Sequence, residues 1–241
     1  MRGIAVVGAS QVAVGALNDF IDRHDDARTQ PEKPLPSGQV PAPVAIGMVV
    51  LGIVVCIGFA LSFGLASLAI VAVGLGSGLA YDLRLKRTHF SPIPYVVSFL
   101  ALLTWIWLVA GSLTWSVVIV YPFGTFLLLA AHLANALPDV ETDAALRQRG
   151  LAVILGPRRA LNVVLVITGS AAVCAFALCA IEGIPLGLAL SLASGLLILI
   201  AIRQALRVTL DRRALQLTFR CIAPAIALTA ASCLLAFQAA T

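Results

Sequence analysis

Apolar runs separated by short polar breaks leave this chain few ways to fold. At roughly 20 apolar residues per crossing of a bilayer, the sequence divides into about eight candidate helices, at 3–20, 41–62, 64–81, 92–110, 114–137, 160–181, 185–203 and 217–238. Irregular or open-sheet backbone cannot face hydrocarbon, because its N–H and C=O groups would find no partner there. With 61% hydrophobic residues, 11% charged residues and a mean hydropathy of +1.03, the composition excludes a water-soluble core and shell. The runs follow one another too closely to leave room for a soluble domain. The expected fold is therefore all-α, a polytopic membrane helix bundle forming one integral-membrane domain over residues 1–241.

Charge orients the bundle. Arg23, Arg28 and Lys33 fall in the first long loop, Arg84, Lys86 and Arg87 in the second, Arg147, Arg149, Arg158 and Arg159 in the third, and Arg203, Arg207, Arg212 and Arg213 in the fourth. Together these make 14 of the 16 basic residues. The alternate turns near 62–64, 111–114 and 182–185 carry no Lys or Arg. That bias places the four basic loops on the cytoplasmic face of the cytoplasmic membrane, with Arg220 snorkelling to the same side. The net charge of +5 is then a topological signature, suited to an anionic ligand or lipid headgroup, and calls for no nucleic acid.

The acids are more telling. Asp19, Asp22, Asp25, Asp26 and Glu32, with Asp139, Glu141 and Asp143, make up 8 of the 11 acidic residues, gathered in two short windows at the ends of apolar runs. At about 100° per residue, Asp19, Asp22 and Asp26 fall within about 60° of one another with Asn18 beside them. Asn135, Asp139 and Asp143 step by four and drift only about 40° each time, so they make a second stripe, while Glu141 points away. Ionised carboxylates beside hydrocarbon each cost a few kcal/mol, roughly, and a divalent cation neutralises such a set. Hard oxygen donors in twos and threes suit Mg²⁺ bridging carboxylates to phosphate oxygens. A solvated acidic loop accounts for either cluster alone; two matched clusters, each with Asn four residues before an Asp, favour the metal.

Other features are blander. Cys56, Cys174, Cys179, Cys221 and Cys233 lie in apolar runs without metal-ligand spacing and read as inert core thiols. His24, His89 and His132 form no ligand set. Gly74, Gly76 and Gly78 lack the strand and third glycine of a dinucleotide site, so Gly74 and Gly78 read as close helix contacts. Met1-Arg2, an apolar run and Val14-Gly15-Ala16 outline a signal peptide, although cleavage there would leave Asn18 and Asp19 on a frayed end.

Several segments resemble the UbiA superfamily of intramembrane prenyltransferases. Asn18-Asp19-Phe20-Ile21-Asp22-Arg23-His24-Asp25-Asp26, with the trailing Lys33-Pro34-Leu35-Pro36-Ser37-Gly38, is similar to its first aspartate-rich motif. Asn135 to Asp143, followed by Arg149 and Leu155-Gly156, resembles the second, and Tyr81 with Leu85-Lys86-Arg87 resembles the element between them. The resemblance implies a helical bundle around a central cavity, with the motifs facing each other under cytoplasmic caps. It implies Mg²⁺-dependent transfer of a prenyl group from a prenyl diphosphate to a small-molecule acceptor. Asn18, Asp19, Asp22 and Asp26 would hold one Mg²⁺, and Asp139 and Asp143 the other. Lys86 and Arg149, with Lys33 alongside, would pair with diphosphate oxygens. Asn18 and Asn135 would also face the substrate, and Tyr81 would line its reacting end or anchor at the interface. Asp19, Asp22, Asp139, Lys86 and Arg149 carry the expected catalysis. A small aromatic or quinone precursor is the family's commonest acceptor, alongside lipid-linked and tetrapyrrole ones. Membrane lipid is the surroundings, and no obligate protein partner is evident.

The chain departs from the family pattern in three places. Gln30 stands where a second basic residue is frequent, three positions before Lys33. Asp82-Leu83 replaces the usual Ser-Pro-Pro after Tyr81. The first motif follows one apolar segment instead of two, which leads us to expect a further apolar segment upstream and, without it, an open seam beside the 3–20 helix. Two other readings remain: a secondary transporter or cation-binding membrane protein using the carboxylates as a coupling site, and a degenerate, non-catalytic family member. Transporters favour midplane acids and inverted repeats, whereas these acids lie at helix ends, and the repeat suggested by the two stripes, 1–112 against 113–241, keeps one orientation.

Overall fold

A computed structural model of the chain describes residues 1–115, 117–206 and 212–240. Among them there is no strand, and eight helices are long and apolar enough to cross a membrane, as the hydropathy pattern predicts. This is a multi-pass integral membrane protein. The residues group into two compact units, Met1–Lys86 with Ile93–Leu113, and Arg87–Pro92 with Thr114–Thr241.

The first unit contains α1 (Arg2–Thr29), α2 (Ala42–Leu61), α3 (Leu65–Leu83) and α4 (Pro92–Val109). Small residues bring these helices together. A Cβ added to Gly52 of α2 would lie 2.8 Å from the Ala9 carbonyl oxygen and 2.9 Å from the Ala13 nitrogen of α1. Gly74 of α3 meets Ala101 of α4, and Gly78 meets Val14 of α1, which is the close packing expected of that glycine run. Val6, Ala13, Cys56, Ala60, Val71, Leu75 and Trp105 form the core. Within it the Trp105 indole Nε1 donates to Ser67 Oγ at 2.7 Å, because a buried N–H needs an acceptor.

The second unit contains α5 (Val117–Ala136), two short helices α6 (Val140–Ala145) and α7 (Leu151–Leu155), and the long α8 (Pro157–Ile181), α9 (Pro185–Ala205) and α10 (Arg212–Ala240). Leu133, Leu137, Leu161, Leu215 and Ile222 are fully buried in its core. Hydroxyl pairs tie α9 to α10: Ser194 Oγ lies 2.7 Å from Thr229 Oγ1, and Ser191 Oγ 2.7 Å from Ser232 Oγ. Lipid tails are as apolar as the helices, so such interhelical bonds and small-residue contacts take over the role of hydrophobic burial.

Several boundaries differ from the sequence expectation. The expected 3–20 helix runs on to Thr29, since nothing in 20–29 breaks it before Pro31, so Arg23 and Arg28 are helical and only Lys33 of that basic group lies in the loop. Arg158, Arg159, Arg212 and Arg213 likewise sit in the first turns of α8 and α10. Arg207 lies outside the described residues. The cysteine reading holds for the buried Cys56 and Cys179 but not for the exposed Cys174. Apolar surroundings do not imply burial here, for the outward faces of the spans are themselves apolar, as Val50, Leu51 and Val54 on α2 illustrate.

Candidate functional site

The first acidic motif lies wholly within the last three turns of α1. Helical periodicity turns Asn18 and Asp22 toward the end of α3, which Val14 and Gly78 bring close, and a 3₁₀ turn at Leu85–Arg87 carries Lys86 back across them. Lys86 Nζ donates to Asn18 Oδ1 at 2.9 Å and to Asp22 Oδ2 at 2.6 Å. It also lies 4.0 Å from Asp82 Oδ1, four residues earlier in the sequence. The Lys86 side chain is only 11% exposed and that of Asp82 only 2%, so these charges meet largely out of water. Among the described residues Asp82 Oδ2 has no hydrogen-bond partner.

The other members of the stripe point elsewhere. Asp26, buried at the end of α1, accepts from Lys33 Nζ at 2.9 Å. The 31–41 connection folds on itself through bonds such as Ser37 N to Lys33 O and Val40 N to Pro34 O, and so holds Lys33 over Asp26. Asp19 is exposed and, with Asp26 and Lys33, rims an open cleft of about 290 Å³ whose walls include Val12, Ala45 and Met48. Two carboxylates and a lysine among apolar walls suit an amphiphile whose anionic head is held through cations. Tyr81, half-buried on α3, meets the Tyr95 ring edge-on at 6.3 Å, and Tyr95 packs on Phe99.

In the second unit the expected Asn135, Asp139, Asp143 stripe is not one regular helix face. Pro138, which lacks an N–H to continue the α5 ladder, sits in a 3₁₀ turn at Leu137–Asp139, and the chain restarts as α6. The four-residue stepping argument therefore fails across it. Asn135 is exposed, while Asp139 and Asp143 are half-buried. Asp139 Oδ1 accepts from Arg212 Nη2 at 2.9 Å. Arg149 is exposed, and its backbone N–H donates to the Arg87 carbonyl at 3.0 Å. His132, buried on α5, lies 3.0 Å from Ser91 Oγ through its Nε2 and is a core histidine.

The donors in the first unit fit Mg²⁺. Asn18 Oδ1 and Asp22 Oδ2 are hard oxygens that already converge on one cation, the Lys86 ammonium, with the buried Asp82 carboxylate beside them. Among the described residues no three His, Cys, Asp or Glu side chains form a closed metal cage. Mg²⁺ does not require one, since it binds through one or two carboxylates plus phosphate oxygens and waters. Sequence reasoning missed Asp82 and Arg212. Asp82 had left a signal, as one of the few acids outside the two windows and four residues before a cation on a helix end; Arg212 had left none.

An integral membrane protein with hard oxygen donors gathered on a buried ammonium, and with an apolar-walled cleft rimmed by Asp19, Asp26 and Lys33, is built to hold charge at the edge of hydrocarbon. The UbiA prenyltransferase family model matches residues 2–222, and the chain belongs to that family. It is 29% identical over 167 residues to digeranylgeranylglyceryl phosphate synthase of Natronomonas pharaonis, a match covering 65% of this chain and 58% of that one. It is 30% identical over 193 residues to the 33 kDa chain of bacteriochlorophyll synthase of Rhodobacter capsulatus, covering 71% and 58%. The chain thus matches under two thirds of these relatives' length. Among solved structures, the apo form of a UbiA homologue from Aeropyrum pernix shares the fold, with a TM-score of 0.69, 18% identity, and coverage of 97% of this chain and 88% of that one.

Proposed function

We propose that this protein transfers a prenyl group from a prenyl diphosphate to an acceptor within the membrane, with Mg²⁺ as the metal and the motif loops on the cytoplasmic face. The observation that carries the reading is the convergence of Asn18 and Asp22 on Lys86 at 2.6–2.9 Å, inside a family match spanning residues 2–222. Acids confined to helix ends favour transfer over ion coupling, which places them near the midplane.

Asn18 and Asp22 would hold the metal in the first unit, with Asp26 paired to Lys33 and Asp19 at the rim of the cleft; Asp139 and Asp143 would take the metal-holding role in the second. Bound Mg²⁺ would offset the charge that develops on the departing diphosphate. Lys86 would donate N–H groups to diphosphate oxygens, with Lys33 adding a charge-assisted bond of the same kind in the first unit and Arg149 offering one in the second. The apolar walls at Val12, Ala45 and Met48 receive the prenyl chain and keep water from the allylic cation. For the acceptor, the names of the relatives add precursors of digeranylgeranylglyceryl phosphate and of bacteriochlorophyll to the aromatic and quinone precursors expected from the family.

The test is an assay of membranes carrying this chain with labelled prenyl diphosphates and a panel of glyceryl phosphate, tetrapyrrole and aromatic acceptors. Product should form with Mg²⁺ or Mn²⁺, disappear with EDTA, and be lost in Asp22→Ala and in Asp139→Ala while each variant still inserts. Full activity in EDTA, or in either variant, refutes the proposal.

A further inference from the structure

Asp82 is difficult to explain as a structural residue. It is 2% exposed, its Oδ2 has no partner among the described residues, and its Oδ1 is too far from Lys86, at 4.0 Å, to accept a hydrogen bond. Lys86 gives its hydrogen bonds to Asn18 and Asp22 on α1, so Asp82, nearer in sequence, has only a long ion pair with it. A buried carboxylate with an unused oxygen, 4.0 Å from a cation already shared by two other oxygen donors, is suited to the role of a further ligand.

Building on the metal-dependent reading above, we propose that Asp82 is an additional carboxylate of the first motif's cation site. In this site the Lys86 ammonium and a divalent cation occupy the oxygens of Asn18, Asp22 and Asp82 in turn. Two carboxylates and a neutral amide oxygen around one singly charged ammonium leave one negative charge over. A divalent ion takes up that excess and uses the idle Oδ2, and displacing Lys86 frees it to turn toward diphosphate oxygens. Asp82 and Lys86 thus have opposite effects on metal binding: the first supplies an oxygen and the second competes for it.

The experiment uses the full chain in lipid nanodiscs, stripped with EDTA and titrated with Mn²⁺ alone, with the free-ion electron paramagnetic resonance signal as readout. Asp82→Asn should weaken Mn²⁺ binding about tenfold or more, and Asp82→Ser, which carries the family's usual residue, should do the same if the amide disturbs the fold. Lys86→Met should tighten Mn²⁺ binding. In the Lys86→Met background, Asp82→Asn should still cost about tenfold, because the oxygen acts on the metal directly and not through the lysine. Melting of the EDTA-treated protein should be unchanged or raised by Asp82→Asn. Binding within twofold of the parent in both Asp82 variants, or an Asp82 effect that vanishes in the Lys86→Met background, overturns the assignment while leaving the prenyl transfer reading intact. No Mn²⁺ binding by the parent chain, with transfer persisting in EDTA, overturns both.

Discussion

Gly52 offers a sharp test of how the first motif is held. A methyl group at this position would meet the Ala9 carbonyl oxygen at 2.8 Å, the Ala13 nitrogen at 2.9 Å and the Ala13 Cβ at 3.0 Å. Two of these are backbone atoms, so no side chain can rotate out of the way. Restoring ordinary contact near 3.4 Å means moving α1 off α2 by about 0.6 Å. Overpacking of this kind costs about 1–3 kcal/mol. Replacing a helical glycine with alanine also returns up to about 1 kcal/mol of helix propensity, so a single variant would understate the clash. Gly58, on the same helix with nothing within 4 Å of its added Cβ, supplies the correction. The difference between Gly52→Ala and Gly58→Ala isolates the clash, at roughly 2–4 °C of melting midpoint per kcal/mol for a chain of this size. The assay is thermal unfolding of both variants in one detergent at one scan rate, because irreversible unfolding makes the midpoint depend on rate. Since α1 carries Asn18 and Asp22, Gly52→Ala should also slow transfer, by up to about tenfold for a displacement of this size. If Gly52→Ala melts at or above Gly58→Ala, the close α1–α2 contact is wrong, and with it our account of how the acidic stripe is positioned.

Other expected outcomes concern the cations, the core and the topology. Lys86→Met and Arg149→Met should each raise KM for the prenyl diphosphate more than KM for the acceptor; a change confined to the acceptor would remove these residues from the diphosphate site. Trp105→Phe strands the buried Ser67 hydroxyl and should destabilise the protein by about 1 kcal/mol, whereas Ser194→Ala, which loses the 2.7 Å bond to Thr229, should cost nearer ~0.6 kcal/mol; both are read from denaturant unfolding, and costs in the reverse order would refute the comparison. A cysteine at Gln30, introduced after the exposed Cys174 is replaced, should react with an impermeant reagent only from the cytoplasmic side, and labelling from the other side would invert the proposed topology.

The spans were legible because bilayer crossing is a local demand: about 20 apolar residues suffice whatever the neighbours do, and the eight expected helices recur in the structure, several of them with extended ends. The common face of Asn18 and Asp22 was legible for the same reason, since helical pitch alone sets it. The second stripe was misread because Pro138 replaces α-helical pitch with a 3₁₀ turn just where the stepping argument needed continuity. What the linear chain did not disclose is which charges meet. Lys86 reaches Asn18 and Asp22 across 68 and 64 residues only because Gly78 lets α3 close on Val14 of α1. The same packing carries Asp82 into the cluster as the helix turns, although in sequence it looked like a mere departure from the family's loop. Arg212 meets Asp139 across 73 residues, with no local pattern to announce it. Hydropathy and pitch are summed along one segment, whereas an ion pair depends on the packing of helices distant in sequence, and here that packing decided the site.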